Sequence, residues 1–170
     1  MKYTDARPTI QSGDLLAWSH RAWRTWHDIK IQIVRFFTQS EYSHVAVAWV
    51  VGGRVFALEA VQPLVRIYPL SKLGDFYLLP LGAAWSQATE EFALQHVGEP
   101  YSQLQAVEAF FRPLAHDGQW ECAEYAAAVL KLADVDLGHV ATPTAVVLQA
   151  QRLGAVCQYV RTGDDAQKIT

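Results

Sequence analysis

The sequence predicts one α+β domain in which an antiparallel sheet carries a helix that starts at a cysteine. Three observations predict it. Two β-rich runs, 45–51 and 55–61, flank Gly52-Gly53, which is a two-residue hairpin signal. Further short apolar runs over 64–68 and 76–81 are punctuated by Pro63, Pro69 and Pro80. Trp120-Glu121-Cys122-Ala123-Glu124-Tyr125 opens an Ala-rich run over 126–133, and the residues behind Cys122 are nearly all strong helix formers.

Taken in order, Gly13-Asp14 reads as a turn feeding a short apolar strand over 15–18. From 19 to 37 the period changes: Trp23, Trp26, Ile29 (or Ile33), Phe36 and Phe37 recur at three- and four-residue steps, with Arg21, Arg24, Lys30 and Arg35 between them. This predicts a basic amphipathic helix packed on its domain by the aromatic stripe; contact with a membrane through it is the less favoured reading. His20 and His27 share a face of that helix, but two histidines without a third ligand make no metal claim. The hairpin and the two further strands come next, then a helix over 86–97 closed by Gly98-Glu99-Pro100, and a second over 103–111 before Pro113. Thr142-Pro143 has the N-cap then Pro order of a helix start, and 155–160 reads as a last strand. The folded core is expected over about 10–161 of a single 1–170 domain, with 162–170 as a tail.

Composition narrows the function. With 51% apolar and 18% charged residues the chain has a globular composition, and a net charge of −3 argues against general nucleic-acid binding. No apolar run reaches bilayer length and the N-terminus lacks the apolar stretch of a signal peptide, so a cytoplasmic setting is the expectation; association with a phage or prophage, or export by another route, is the alternative. Cys122 and Cys157 are too few for a disulfide framework or a cysteine-built zinc site.

Cys122 is expected in the first turn of its helix, because Asp117-Gly118 ahead of it is a turn signal. Unpaired N–H groups and the positive end of the macrodipole favour an anion there, which suits a nucleophilic thiol. The competing reading is a cysteine packed as a small hydrophobe. The hairpin supplies a base. With Gly52-Gly53 as the loop, Val51 opposes Arg54, Ala46 opposes Glu59, and His44 becomes a diagonal neighbour of Glu59 on one face. A carboxylate among apolar strand residues needs a partner, and an imidazole held by it keeps one nitrogen free for proton transfer. Nucleophile, base and orienter would then be Cys122, His44 and Glu59.

Spacing alone does not bring the Cys122 helix to the hairpin. The order Gly13-Asp14-Leu15, Ser43-His44-Val45, Leu58-Glu59-Ala60, Gly98-Glu99-Pro100-Tyr101 and Cys122-Ala123-Glu124 resembles the circularly permuted, papain-like branch of the NlpC peptidase superfamily (YiiX-like proteins). The likeness runs from Gly13 to about Thr142-Pro143; each motif is weak alone, and their order carries it. It implies a permuted papain-like fold in which the His and Glu strands precede the Cys helix. It also implies a Cys122 nucleophile, a His44 base and acid, a Glu59 orienter, and a Tyr101 near the nucleophile whose hydroxyl could join the Cys122 N–H at an oxyanion; Tyr101 packing a helix start is the competing reading. Trp120 and the other tryptophans either line an apolar groove for substrate or fill the core. Two departures, Ala46-Val47 in place of a Gly after the Ser-His-Val motif and Ala123 in place of a Ser, bear on pocket width. The expected activity is cleavage of an amide bond in a peptide, cell-wall peptides included, through a thioacyl intermediate and with no cofactor. A lipid-ester hydrolase or acyltransferase, similar to lecithin retinol acyltransferase and its relatives, is one alternative. A non-catalytic binding module, such as a phage component or an effector, is the other. Oligomeric state is not encoded in any of these features.

Overall fold

Alternation decides the architecture: each central strand has apolar side chains on both faces, so the sheet is covered on both sides. The computed structural model describes residues 1–19, 41–101 and 121–163. Strands β1 (Leu15–Ser19), β2 (Tyr42–Val51), β3 (Arg54–Val61), β4 (Leu64–Pro69), β5 (Phe76–Leu79) and β6 (Gln158–Val160) form one antiparallel sheet in the order β4-β3-β2-β1-β5-β6. The helices are α1 (Tyr3–Ala6), α2 (Gln87–Gln95), α3 (Cys122–Leu132) and α4 (Pro143–Arg152). The fold is α+β, as the sequence predicts.

On one face Ala17, Val45, Val47, Leu58 and Ala60 pack against Ala126, Val129 and Leu130 of α3 and Val146, Val147 and Ala150 of α4. On the other, Leu16, Trp18, Ala46, Ala48 and Ala57 pack against Ala6, Ile10 and Leu70. The period of two along β1, β2 and β3 assigns these residues to their faces. Ala6 of α1 is fully buried and Lys2 bridges Arg161, so the first residues close the second layer.

The β2–β3 hairpin has the predicted register. Gly52 (φ 56) and Gly53 (φ 71) both take the left-handed conformation that a tight two-residue turn demands, and Val51 pairs with Arg54. Gln62-Pro63 makes a second two-residue connection, pairing Val61 with Leu64 and Glu59 with Arg66. Helix α2 is capped by Ser86, which accepts from the Thr89 N–H, and α4 by Thr142, which accepts from the Ala145 N–H. Helix α3 starts at Cys122 on an extended Glu121, and Asp134 follows its end in the left-handed region (φ 60). Tyr125 donates to the Ala93 carbonyl (2.8 Å) and Thr89 to the Leu132 carbonyl (3.0 Å), binding α2 to α3.

Some boundaries differ from expectation. The last strand is confined to Gln158–Val160, because pairing with β5 reaches only that far; Ala155, Val156 and Cys157 lie before it. Strand β5 stops at Leu79, ahead of Pro80, which has no N–H to extend a ladder. Ser19 closes β1; the rest of the predicted basic helix, with His20 and His27, lies outside the described residues, as do the 103–111 helix, Trp120 and residues 164–170. No helix among the described residues is long and apolar enough to cross a membrane.

Candidate active site

The first motif of the chain proves architectural. Asp14 is buried; its carboxylate accepts from the Gln11 N–H (2.8 Å) and the Leu81 N–H (3.2 Å), and burial holds its pKa above the ordinary value despite those bonds. Gly13, at φ 92, has no room for a side chain: a Cβ there would stand 2.6 Å from the Ala83 Cβ. The Gly-Asp pair thereby ties the entry of β1 to the exit of β5.

At the opposite end of β1 the chain builds a polar cluster. Trp18 pairs with His44 and Ser19 with Tyr42, leaving Ser43 as one extra residue on β2, with its hydroxyl donating to the Trp18 carbonyl (3.1 Å). Such a bulge bends and twists its strand and re-aims the neighbouring side chain. That neighbour is His44. Its ring lies 5.4 Å, centre to centre, from the fully buried Trp18 indole.

Glu59 comes to His44 as the hairpin register requires. His44 Nε2 is 2.7 Å from Glu59 Oε2, and the carboxylate is 2% exposed. Its other oxygen, Oε1, accepts from Arg66 Nε (2.8 Å), and Arg66 Nη2 stands 2.7 Å from it as an ion pair. Burial would push the Glu59 pKa up, but the hydrogen bond and charge of His44, with those of Arg66, outweigh it and hold the pKa below the ordinary value. Glu59 is therefore an anion and an acceptor, and Nε2 is the donor.

Cys122 stands at the start of α3, 7% exposed, and its interaction with the imidazole is one of the causes that raise the His44 pKa. Burial disfavours the imidazolium. The hydrogen bonds and charges of Cys122 and Glu59 overcome it and raise the His44 pKa from 6.5 to about 10. His44 thus holds its proton through neutral pH.

Tyr101 also belongs to this neighbourhood. Its N–H donates to the Pro63 carbonyl (2.9 Å), anchoring it beside the β3–β4 turn. Burial, then the charges of Cys122 and Glu121, raise the pKa of its phenol, so it keeps its proton as a donor. Cys157 is only partly buried, short of the buried position its apolar surroundings suggest; burial still raises its pKa, and its sulfur lies 3.8 Å from the Tyr42 hydroxyl. Of the tryptophans, Trp18 is core, whereas Trp49 and Trp85 both donate to Glu90 Oε2 (2.9 and 3.3 Å).

Two residues escape the sequence reading. Arg66 could have been found by giving Gln62-Pro63 the two-residue count used for Gly52-Gly53, which places Arg66 opposite Glu59. Glu121 carries no comparable signal. It is 7% exposed, its Oε1 has no hydrogen-bond partner among the described residues, and burial together with the Glu124 charge lifts its pKa to about 7.

No family model matches this chain, and no curated protein matches it. Among solved structures its fold is similar to that of YiiX from Escherichia coli O157:H7, with a TM-score of 0.56 and 20% identity over 76% of this chain and 69% of that one. The fold is YiiX-like. At this identity the likeness is one of fold. YiiX is described as a metalloprotein; among the described residues of this chain no group of three or more His, Cys, Asp or Glu side chains is arranged to hold a metal ion.

Proposed function

We propose that the protein is a cysteine hydrolase that cleaves an amide bond in a peptide, cell-wall peptides being one substrate class, with Cys122 as nucleophile, His44 as acid and base, and Glu59 as orienter. One observation supports this reading: the His44 imidazole is hydrogen-bonded to the buried Glu59, and Cys122 at the start of α3 acts on the same imidazole. The YiiX-like fold is consistent with it.

The chemistry follows from these roles. The Cys122 sulfur, as thiolate, attacks the carbonyl carbon; a C–S bond forms and the π electrons move to oxygen. The Cys122 N–H at the helix start and the Tyr101 hydroxyl are the donors for that oxyanion. As the C–N bond breaks, His44 gives its proton to the departing amine. Neutral His44 then takes a proton from water, the hydroxide adds to the thioester, and the acid leaves with Cys122 restored.

The test is the pH dependence of iodoacetamide alkylation at Cys122 and Cys157, in wild type and in His44→Ala. Rapid labelling of Cys122 at neutral pH that His44→Ala abolishes supports the pair; Cys157, whose pKa burial raises, labels slowly in both proteins. Labelling of Cys122 only on unfolding removes the hydrolase reading and favours a binding module. Intact-mass detection of an acyl adduct then separates peptides from lipid esters.

A further inference from the structure

A buried carboxylate with two cationic partners is more than an orienter needs. Holding an imidazole takes one oxygen of Glu59, and His44 Nε2 occupies it at 2.7 Å. The second oxygen accepts from Arg66 Nε at 2.8 Å and is in ion-pair contact with Nη2 at 2.7 Å. Arg66 stands directly opposite Glu59 in the β3–β4 ladder, and its guanidinium lies 4.6 Å from the Tyr68 ring centre, so it is braced from both sides. Resting on the hydrolase reading above, we propose that Arg66 is a positioning residue that keeps Glu59 ionised in both protonation states of His44, so that the imidazole can release its proton without stranding a lone charge in the interior.

The charge count explains why this matters. With His44 protonated, Glu59 has two cations beside it. When His44 gives its proton to a leaving group, Glu59 still has Arg66, which does not deprotonate in proteins. Remove Arg66 and the same proton loss leaves a carboxylate that is 2% exposed with no counter-charge. The pair then retains its proton, either on the imidazole or on the carboxyl. The charged or titratable groups facing the couple are Cys122 from α3, toward His44, and Arg66 from β4, toward Glu59; Trp18 covers the ring from β1. Arg66 therefore acts where His44 must give up its proton. Its loss should slow formation of the acyl-enzyme, the step in which His44 protonates the departing amine.

The experiment is an NMR titration of the His44 ring in wild type, Cys122→Ala, Cys122→Ala/Arg66→Met and Cys122→Ala/Arg66→Lys, with amide spectra to verify the fold. Cys122→Ala should lower the His44 midpoint; if it does not, the Cys–His pairing fails, independently of Arg66. Against that background Arg66→Met should raise the midpoint by about one pH unit or more, and Arg66→Lys, which restores the charge with fewer donors, should return most of the shift. An unchanged or lowered midpoint in folded Arg66→Met overturns the proposal. Infrared difference spectra of Cys122→Ala, with Glu59→Gln to assign the band, supply a measurement that keeps Arg66 in place. Glu59 should absorb as a carboxylate on both sides of the His44 titration. A protonated-carboxyl band appearing as His44 loses its proton overturns the proposal even if Arg66→Met fails to fold.

Discussion

Replacing Glu59 by Gln removes one charge from the best-buried polar position of the site while nearly keeping its shape. Two hydrogen bonds to charged partners, at 2.7 and 2.8 Å, and an ion-pair contact at 2.7 Å converge on the carboxylate. Each such bond contributes about 1.5–3 kcal/mol. The amide keeps one or two of them in neutral form, and Arg66, whose side chain is 35% exposed, recovers part of its loss by turning to water. The expected cost is therefore about 2–4 kcal/mol, below the sum of these contacts. The pH dependence follows from the two shifts. The folded Glu59 pKa lies below its ordinary 4.5, so this stabilisation is present above that value and is lost as pH falls through the folded pKa. The folded His44 pKa is raised, so its contribution is whole below 6.5 and is lost as pH rises through about 10. The gap between wild type and Glu59→Gln should thus be widest between pH 4.5 and 6.5 and narrow on either side. Urea unfolding across this range measures it. A gap that stays constant from acid to alkaline pH, or no gap at all, refutes the argument that Glu59 is a buried anion held by His44 and Arg66.

Other substitutions probe the surroundings. Tyr101→Phe should leave stability within about 1 kcal/mol. In a turnover assay its kcat should fall by about 10²-fold or more if the phenol serves the oxyanion, and hardly at all if it only packs. Gly13→Ala forces φ 92 on a residue with a side chain and drives a Cβ to 2.6 Å from Ala83, so thermal unfolding should show a loss of about 2 kcal/mol or more. Tyr125→Phe strands the Ala93 carbonyl in the interior, with an expected cost of about 1–3 kcal/mol in the same assay and faster amide exchange where α2 meets α3.

The sheet and the His44–Glu59 pair were legible because their cause is local. Gly52-Gly53 forces a two-residue turn, the turn sets the register, and the period of two assigns every later side chain to a face. The start of α3 and the capped starts of α2 and α4 were readable for the same reason, since caps and turn residues act over a few positions. Arg66 lay within reach of that counting and was missed because Pro63 was read as punctuation and not as half of a turn. What local rules do not reach is the meeting of α3 with β2. That contact depends on how apolar faces of distant segments pack, with Val47 and Leu58 receiving Ala126 and Val129, and no spacing in the chain encodes it. The burial of Glu121 belongs to the same category: a carboxyl pushed up to about 7 is a property of what surrounds it, not of the residue. The sequence by itself determined which side chains could do chemistry and which face of the sheet two of them share. The tertiary structure alone decided that α3 packs on the strands that carry them and that an arginine holds the carboxylate, because burial and proximity across elements arise only when the layers close.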